Sequence, residues 1–343
     1  MIELLKELCA LDGISGYEGP VREKIRTLAQ PYAAEIRTDV LGNLYVLKRG
    51  EKRPAAPVAV STSMGEYGFV LSEHGDVGAM KLMWVDEMDA RNVIGKRYRV
   101  AGSGVKGVIS LVAQHLTGRT GTDSVPEMKE LQFDCGTSKK EDTEKLLKVG
   151  DTIVYDYPVT EFGENCLRGK ALDCRIGCAI LLQLIREVMP KYDTWFIFTA
   201  ATGLEHRGAM IAAREIDPAI CLCVTACACC DVPMQKPERV SVHLRKGVAV
   251  GIKERRILYS RRLNRMMTEK ADAAGIPWQY RAAVSDTSDA GTLQISASGM
   301  EVMGISVPVR GMTTANPVAY IPDMEAAYAL ASLFVKEVEE LDA

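Results

Sequence analysis

The second half of the chain alternates between two sequence patterns, and this alternation limits the fold more than any other feature. Apolar residues at helical spacing follow Asp173 directly, and runs of β-branched and aromatic residues separate the later helical segments. The predicted strands and helices include 194–200, 205–215, 219–225, 261–274, 302–307 and 323–341. Strands that alternate with helices indicate an α/β fold with a layered sheet, in which ligands bind at the carboxyl ends of strands.

Residues 68–160 have a different sequence pattern from the rest of the chain. Short β-like segments alternate here with glycines such as Gly102, Gly104 and Gly107. This pattern predicts a small β-rich domain inserted into the α/β domain. The α/β domain then comprises residues 1–67 and 161–343.

The composition argues against several classes of protein. The 343 residues carry a formal charge of -3, so no basic excess suggests a nucleic-acid partner. Residues 1–8 predict an amphipathic helix that contains charges, which is neither a signal peptide nor a membrane span. Ten cysteines without an export signal indicate a cytoplasmic protein with free thiols.

Asp173 is the first candidate site residue, because it stands where a loop gives way to an apolar helix. A carboxylate buried beside a core helix is costly without a partner. We therefore expect a metal, a cation or a hydrogen-bond network near it. The alternative is a carboxylate that caps its own helix.

Seven short segments, taken in order, resemble the glutamyl aminopeptidase family, which includes the TET-type cytosolic di-metal aminopeptidases. They are Ser-Gly-Tyr-Glu at 15–18, Asp-Val-Leu-Gly-Asn-Leu at 39–44, Gly-Glu-Tyr-Gly-Phe at 65–69, Gly-Lys-Ala-Leu-Asp at 169–173, Arg-Gly-Ala at 207–209, Ser-Asp-Ala-Gly at 288–291 and Val-Pro-Val-Arg at 307–310. The resemblance implies a zinc-exopeptidase-like three-layer α/β/α domain with an inserted, barrel-like β domain. In this family the insertion mediates dimer contacts, so the resemblance also implies a dimer or larger homo-oligomer.

The family hydrolyses an N-terminal amino acid with two metal ions, zinc or cobalt, that share a bridging carboxylate and activate a water. The family's five metal-ligand positions fall here on Ser63, Asp173, Gly203, Cys223 and Thr313. The Asp that orients a His ligand falls on Gly65, and the Glu general base falls on Thr202. Only Asp173 keeps the ligand that the family uses.

The sequence therefore predicts a family member without its di-metal centre, with no cofactor expected and Asp173 as the only charged family position left in the pocket. Such a protein acts in binding or assembly, with itself as partner and with a peptide or small ligand in the old pocket. The alternative is an active aminopeptidase or other hydrolase with a rebuilt site. That site is either a single zinc at Asp173 and Cys223 or a thiol site around Asp173, Cys174 and Cys223.

The four histidines offer no obvious replacement ligands. Glu205 and His206 are predicted to form an exposed first helical turn. His74 falls in the predicted insertion, and His115 and His243 are interpreted as ordinary surface or core residues. Five cysteines within 221–230 are interpreted chiefly as small buried apolar residues, with a thiol nucleophile, a soft-metal site and a redox sensor as open alternatives.

Overall fold

The computed structural model describes residues 1–86, 88–111, 125–229, 231–232, 241–282 and 287–339. Its helices are Ile2–Ala10 (α1), Gly19–Ala29 (α2), Ala90–Val93 (α3), Lys140–Leu146 (α4), Leu172–Glu187 (α5), Arg207–Ile216 (α6), Arg261–Ala274 (α7), Asp289–Ile295 (α8) and Ile321–Glu337 (α9). Short 3-10 turns lie at Gln30–Tyr32 and Met128–Glu130. The predicted surface or core residue His115 and the cysteine Cys230 lie outside the described residues.

The strands in these ranges divide between a large sheet and a barrel. They are Glu35–Thr38 (β1), Leu44–Lys48 (β2), Val58–Ser63 (β3), Gly68–His74 (β4), Met80–Trp84 (β5), Arg97–Val100 (β6), Lys106–Ser110 (β7), Gln132–Asp134 (β8), Thr152–Tyr155 (β9), Thr160–Phe162 (β10), Cys166–Arg168 (β11), Thr194–Thr199 (β12), Ile220–Ala228 (β13), Val248–Lys253 (β14), Trp278–Ala282 (β15), Glu301–Arg310 (β16) and Val318–Tyr320 (β17).

The large sheet places four parallel strands at its centre. Its order is β1-β2-β12-β3-β13-β16-β17-β11-β10, and β14 and β15 join it through β16. Strands β12, β3, β13 and β16 are parallel neighbours, with Thr199 opposite Ser63 at one carboxyl edge. Because parallel strands end together, the segments after β3, β12 and β13 meet at this edge.

Both faces of the central strands are buried, which is the arrangement that a three-layer fold requires. Side chains alternate between the faces, so that Phe196 and Phe198 enter one apolar cluster and Ile197 enters the other. Helix α5 belongs to the first cluster, and its Gly177 lets the helix lie close to the sheet. A Cβ added at Gly177 would lie 2.0 Å from Oγ1 of Thr62.

The second sheet is a closed barrel with the order β4-β5-β8-β7-β6-β9. Strand β9 pairs with β4, which closes it, and Phe69, Tyr98 and Phe133 fill its interior. All six strands come from the segment between Gly68 and Tyr155. The predicted fold class, an α/β domain with an inserted barrel-like domain, is confirmed, while the division at residues 68 and 160 stays a prediction.

The start of helix α6 differs from the prediction. It begins at Arg207 and not at residue 205, because Glu205 and His206 have left-handed φ angles of 60° and 57°.

Within the described ranges, no helix combines the length and hydropathy needed to cross a bilayer.

Candidate active site

A cavity of about 120 Å³ lies at the carboxyl edge of β3, β12 and β13, beside the first turn of α5. Residues from the large sheet, from α5 and α8, and from the segment after β5 form its walls. Four acidic residues line it, Glu66, Asp86, Asp173 and Asp289, together with His206. Asp173 is the only charged residue among the predicted family positions, and the pocket contains further ionisable groups that the sequence analysis did not place there.

Asp173 lies in the first turn of α5, where burial raises the pKa of its carboxyl to about 6. It is not the helix cap, because the residue at that position is Ala171. The backbone N–H of Thr313 donates to Oδ2 of Asp173 at 3.0 Å, and the Cys174 thiol lies 3.7 Å from Oδ1. Thr313 has a left-handed φ of 66°, a strained conformation that directs its N–H at the carboxylate.

Asp86 follows β5 of the barrel and reaches across to the large sheet. The Ser15 hydroxyl donates to Oδ1 of Asp86 at 3.4 Å and accepts from the N–H of Gly203 at 3.0 Å. Oδ2 of Asp86 is buried and has no hydrogen-bond partner among the described residues. The pKa of Asp86 is raised to about 7, chiefly by burial; the Ser15 hydrogen bond and His206 oppose this rise, and Glu18 adds to it.

The carboxylate of Asp86 leaves no room for a side chain at Gly203. A Cβ added at Gly203 would lie 1.3 Å from Oδ1 of Asp86 and 2.1 Å from its Cγ. Asp86 therefore occupies the space into which any side chain at residue 203 would project. The carboxyl group that serves this part of the pocket comes from the barrel segment, about 117 positions earlier in the chain by difference of residue numbers.

His206 lies in the pocket, so the predicted exposed first turn is wrong for this residue. Nδ1 of His206 is 2.8 Å from Oδ1 of Asp289, whose other oxygen accepts from the Thr199 hydroxyl. Only 11% of the His206 side chain is exposed. Because Glu205 and His206 have left-handed φ angles, the helix begins only at Arg207, and the His206 side chain lies at the cavity. Burial lowers the pKa of His206, but the hydrogen bond and the charge of Asp289 together raise it, and the net shift is upward.

A buried ion-pair network supports the cavity floor. Nζ of Lys170 lies 3.0 and 2.9 Å from the two carboxylate oxygens of Glu66, and the guanidinium of Arg175 donates to the carbonyl of Gly65 at 2.8 Å. Arg175 is fully buried. The N–H of Gly13 also donates to Glu66 at 2.8 Å. This network ties the loop after β3 to Lys170 and Arg175 at the start of α5.

The thiols near the site are poor nucleophiles in this environment. Burial raises the pKa of Cys174 well above its usual value, and Asp173 raises it further. For Cys223 the hydrogen bond with Cys221 and burial raise the pKa well above its usual value. Sγ of Cys223 lies 3.2 Å from the Ser61 hydroxyl, in the apolar cluster of the face opposite α5. A thiol that stays protonated at neutral pH is a poor nucleophile.

The residues that the resemblance assigns to metal binding lie in different surroundings. Ser63 and Asp173 line the cavity, but Cys223 is hydrogen-bonded in the core, and Thr313 uses its backbone to hold Asp173. At Gly203 the space for a ligand side chain is filled by Asp86. The described part of the chain contains no group of three His, Cys, Asp or Glu residues that could hold a metal ion. We therefore derive no chemistry through a metal.

Comparison with known proteins identifies the family. Residues 42–330 match the family model described as M42 glutamyl aminopeptidase. The chain belongs to this family. The aminopeptidase of the archaeon Desulfurococcus kamchatkensis is 27% identical, with a TM-score of 0.93 over 98% of this chain and 94% of that one.

Two TET-type structures show the same M42 fold. The TET aminopeptidase of a marine Thaumarchaeota archaeon is 25% identical, with a TM-score of 0.94 over 98% of this chain and 96% of that one. The TET1 peptidase of Pyrococcus horikoshii, which assembles into a tetrahedron or a large octahedral shell, is 26% identical. Its TM-score is 0.86 over 98% of this chain and 99% of that one.

Asp86 and Asp289 are pocket residues that sequence reasoning missed. Asp289 lies in one of the segments that carry the family resemblance, so its motif was a usable signal. Asp86 lies between the barrel strand β5 and helix α3, in a segment with no recognisable motif. Its contact with Gly203 joins positions that only the tertiary structure brings together.

Proposed function

We propose that this M42 family member does not hydrolyse peptides with two metal ions, and that it acts in binding or assembly through its remodelled pocket. The observation that supports this best is the position of Asp86, whose carboxylate fills the space of a side chain at residue 203. With that space taken, the second metal of the family would keep Asp173 as its single strong ligand, because Thr313 supplies a hydroxyl in place of an imidazole. One carboxylate does not hold a divalent ion tightly.

The proton-transfer requirement supports the same proposal. Peptide hydrolysis by the family mechanism needs a base beside the attacking water. Thr202 stands at that position, and a threonine hydroxyl accepts no proton near neutral pH. The Thr202 hydroxyl is buried and has no hydrogen-bond partner among the described residues, so no neighbouring group activates it. Loss of base and metals together removes nearly all of the rate enhancement, because these parts act as a unit.

The direct test measures metal content and turnover on protein purified without a His tag. We expect less than one equivalent of zinc, cobalt or manganese per chain, and no cleavage of aminoacyl-nitroanilides when these metals are added. Thr202→Glu does not restore cleavage, because the metal ligands are still absent. A chelator leaves the Tm unchanged, since no bound metal stabilises the native state.

Two equivalents of metal, or turnover that Asp173→Asn abolishes, would overturn this proposal. Turnover that survives chelation and is lost in Cys174→Ala or Cys223→Ala would replace it with the thiol site. The same preparations serve to determine the oligomeric state. We propose a dimer or larger homo-oligomer, and a monomer by light scattering at micromolar concentration contradicts that part alone.

A further inference from the structure

We propose that His206, oriented by Asp289, acts as a general base in the pocket and hydrolyses small neutral carboxylic esters without a metal ion. The starting observation is the contact between the imidazole and the carboxylate, in which Nδ1 of His206 lies 2.8 Å from Oδ1 of Asp289. This inference goes beyond the proposed function, because it assigns to the pocket an activity that needs neither two metal ions nor a base at Thr202.

The contacts of Asp289 fix the orientation of the imidazole. Asp289 is the first residue of α8, its side chain is 4% exposed, and its other oxygen accepts from the Thr199 hydroxyl. Because a carboxylate only accepts hydrogen bonds, the neutral imidazole carries its proton on Nδ1 and its lone pair on Nε2. Asp289 is therefore a positioning residue, which determines the nitrogen of His206 that takes up a proton.

Nε2 of His206 is accessible from the cavity. It has no hydrogen-bond partner in the described part of the chain, and it is not a buried atom, unlike Nδ1 of His74. The His206 side chain lines both the cavity of about 120 Å³ and an outer cavity of about 640 Å³ that shares several residues with it. The accessible part of the ring therefore faces these two cavities. A water molecule there can donate a hydrogen bond to Nε2.

The two cavities indicate the class of substrate. The inner volume admits an acyl group of a few heavy atoms, and the outer volume admits a larger alcohol part. The outer walls carry charges of both signs, from Arg255, Arg256, Asp86 and Glu205, so they favour a neutral molecule over an ion of either sign. An ester fits a site with a base alone, because an alkoxide or phenoxide leaves far more readily than the anion of an amine.

The reaction needs water as its only co-reactant. Nε2 of His206 takes a proton from a water molecule while the water oxygen forms a bond to the ester carbonyl carbon, and the electron pair of the C=O bond moves onto its oxygen. When this tetrahedral intermediate collapses, the C–O bond to the alcohol breaks, and the proton on Nε2 passes to the leaving oxygen. The products are a carboxylic acid and an alcohol, and the imidazole is regenerated.

The charged groups that face His206 predict the pH dependence. Burial and Arg256 lower the pKa of His206, whereas the hydrogen bond and charge of Asp289 and the charge of Glu254 raise it, and the net shift is upward. Asp86 faces the ring from the segment after β5. Only the neutral imidazole accepts a proton. Activity should therefore rise with pH and be half-maximal above pH 6.5, the ordinary pKa of a histidine.

The experiment measures hydrolysis of p-nitrophenyl acetate by the 343-residue protein with EDTA present, in water and in D2O. We expect His206→Gln to lower kcat/KM about 100-fold, which is typical for the loss of a general base, and the reaction to be slower in D2O. His243→Gln, which removes an exposed imidazole, should keep the wild-type rate. Asp289→Asn should lower kcat/KM about tenfold and shift the half-maximal pH downward, because the carboxylate that raises the pKa of His206 is gone.

Circular dichroism of each variant separates loss of activity from loss of folding. Equal kcat/KM in the wild type and in folded His206→Gln would overturn the proposal, and so would activity that EDTA abolishes. Equal rates in water and D2O would overturn it in favour of direct attack by the imidazole. Should His206→Gln not fold, an unchanged pH profile in folded Asp289→Asn overturns the proposal.

The outcome for esters is separate from the outcome for the proposed function. Metal content and nitroanilide turnover are measured independently of ester hydrolysis. An absence of ester hydrolysis therefore leaves the proposed loss of metal chemistry standing. Two bound metal ions together with EDTA-resistant ester hydrolysis that depends on His206 would overturn the loss of metal chemistry alone.

Discussion

Two clusters of ionisable side chains lie close together in the molecule, and they differ in whether their carboxylates have cationic partners. The scaffold cluster, formed by Asp12, Glu66, Lys170 and Arg175, joins each carboxylate to a cation. The pocket cluster, formed by Asp86, Asp173, His206 and Asp289, contains one such pair, His206 with Asp289. Asp86 and Asp173 have only hydroxyl, thiol or backbone donors among the described residues.

This difference in ion pairing indicates that the scaffold cluster stabilises the fold, whereas the pocket cluster has the properties of a binding site. In the scaffold cluster, the Coulomb attraction and the hydrogen bonds of Lys170 and Arg175 offset the cost of removing the charges from water. In the pocket cluster the desolvation cost stays uncompensated, and it appears as raised pKa values at Asp86 and Asp173. Perturbed carboxylates in a cavity are typical of functional sites. The scaffold cluster thus holds the loop after β3 in place, and the pocket cluster remains available to a ligand.

The largest change in the free energy of unfolding is expected when an ion pair of the scaffold cluster is removed. Lys170→Met leaves Glu66 buried beside Arg175 alone, and loss of one partner from a buried ion pair lowers the free energy of unfolding by about 3–5 kcal/mol. Urea denaturation measures the change. Arg265→Met, which removes an exposed helical pair with Glu269, is the control and should not shift the midpoint. An unchanged midpoint for Lys170→Met would show that the two clusters do not differ in this way.

A smaller effect, of opposite sign, is expected in the pocket cluster. The folded-state pKa of Asp86 is about 7 against 3.8 for the ordinary group, so the native state binds the extra proton between these values. Stability from this residue is therefore present below pH 4 and is lost as pH rises to 7. Asp86→Asn removes the buried charge and should stabilise the protein at pH 8 by at most about 4 kcal/mol.

At pH 4 the substitution Asp86→Asn should make little difference, because the native carboxyl is then protonated. Urea denaturation at the two pH values gives the comparison, and Asp142→Asn serves as the exposed control. A variant that is less stable than the wild type at pH 8 would place Asp86 with the scaffold and not with the pocket.

The smallest of the three effects tests the contact between Asp86 and Gly203. Gly203→Ala places a Cβ 1.3 Å from Oδ1 of Asp86, so the carboxylate must move, and such overpacking costs about 1–3 kcal/mol. In an Asp86→Gly background the same alanine should cost almost nothing. Gly19→Ala is the control, because its nearest contact would be 3.8 Å away. Additive free energies in this double-mutant cycle would contradict the contact.

Much of the fold could be predicted from the sequence. Alternating strand and helix patterns after Asp173 determine an α/β sheet, and the seven motifs determine the family and the presence of a barrel insertion. The predicted ligand positions Ser63, Gly203, Cys223 and Thr313 rest on motifs near them in the chain, and their assignment stays a prediction. These signals are local, since periodicity and short motifs reflect the surroundings of neighbouring residues.

The arrangement of the pocket was decided by the tertiary structure. Asp86 meets Gly203 because the barrel places the end of β5 over the edge of the sheet, and no local pattern records a contact between distant segments. His206 enters the cavity because two left-handed residues delay the start of α6, and Asp289 from α8 then holds its ring. The sequence by itself predicts that most of the family's ligand positions carry other residues. Only the packing of separate elements decided which charges fill the space they would have occupied, because burial and pairing depend on contacts made across the whole fold.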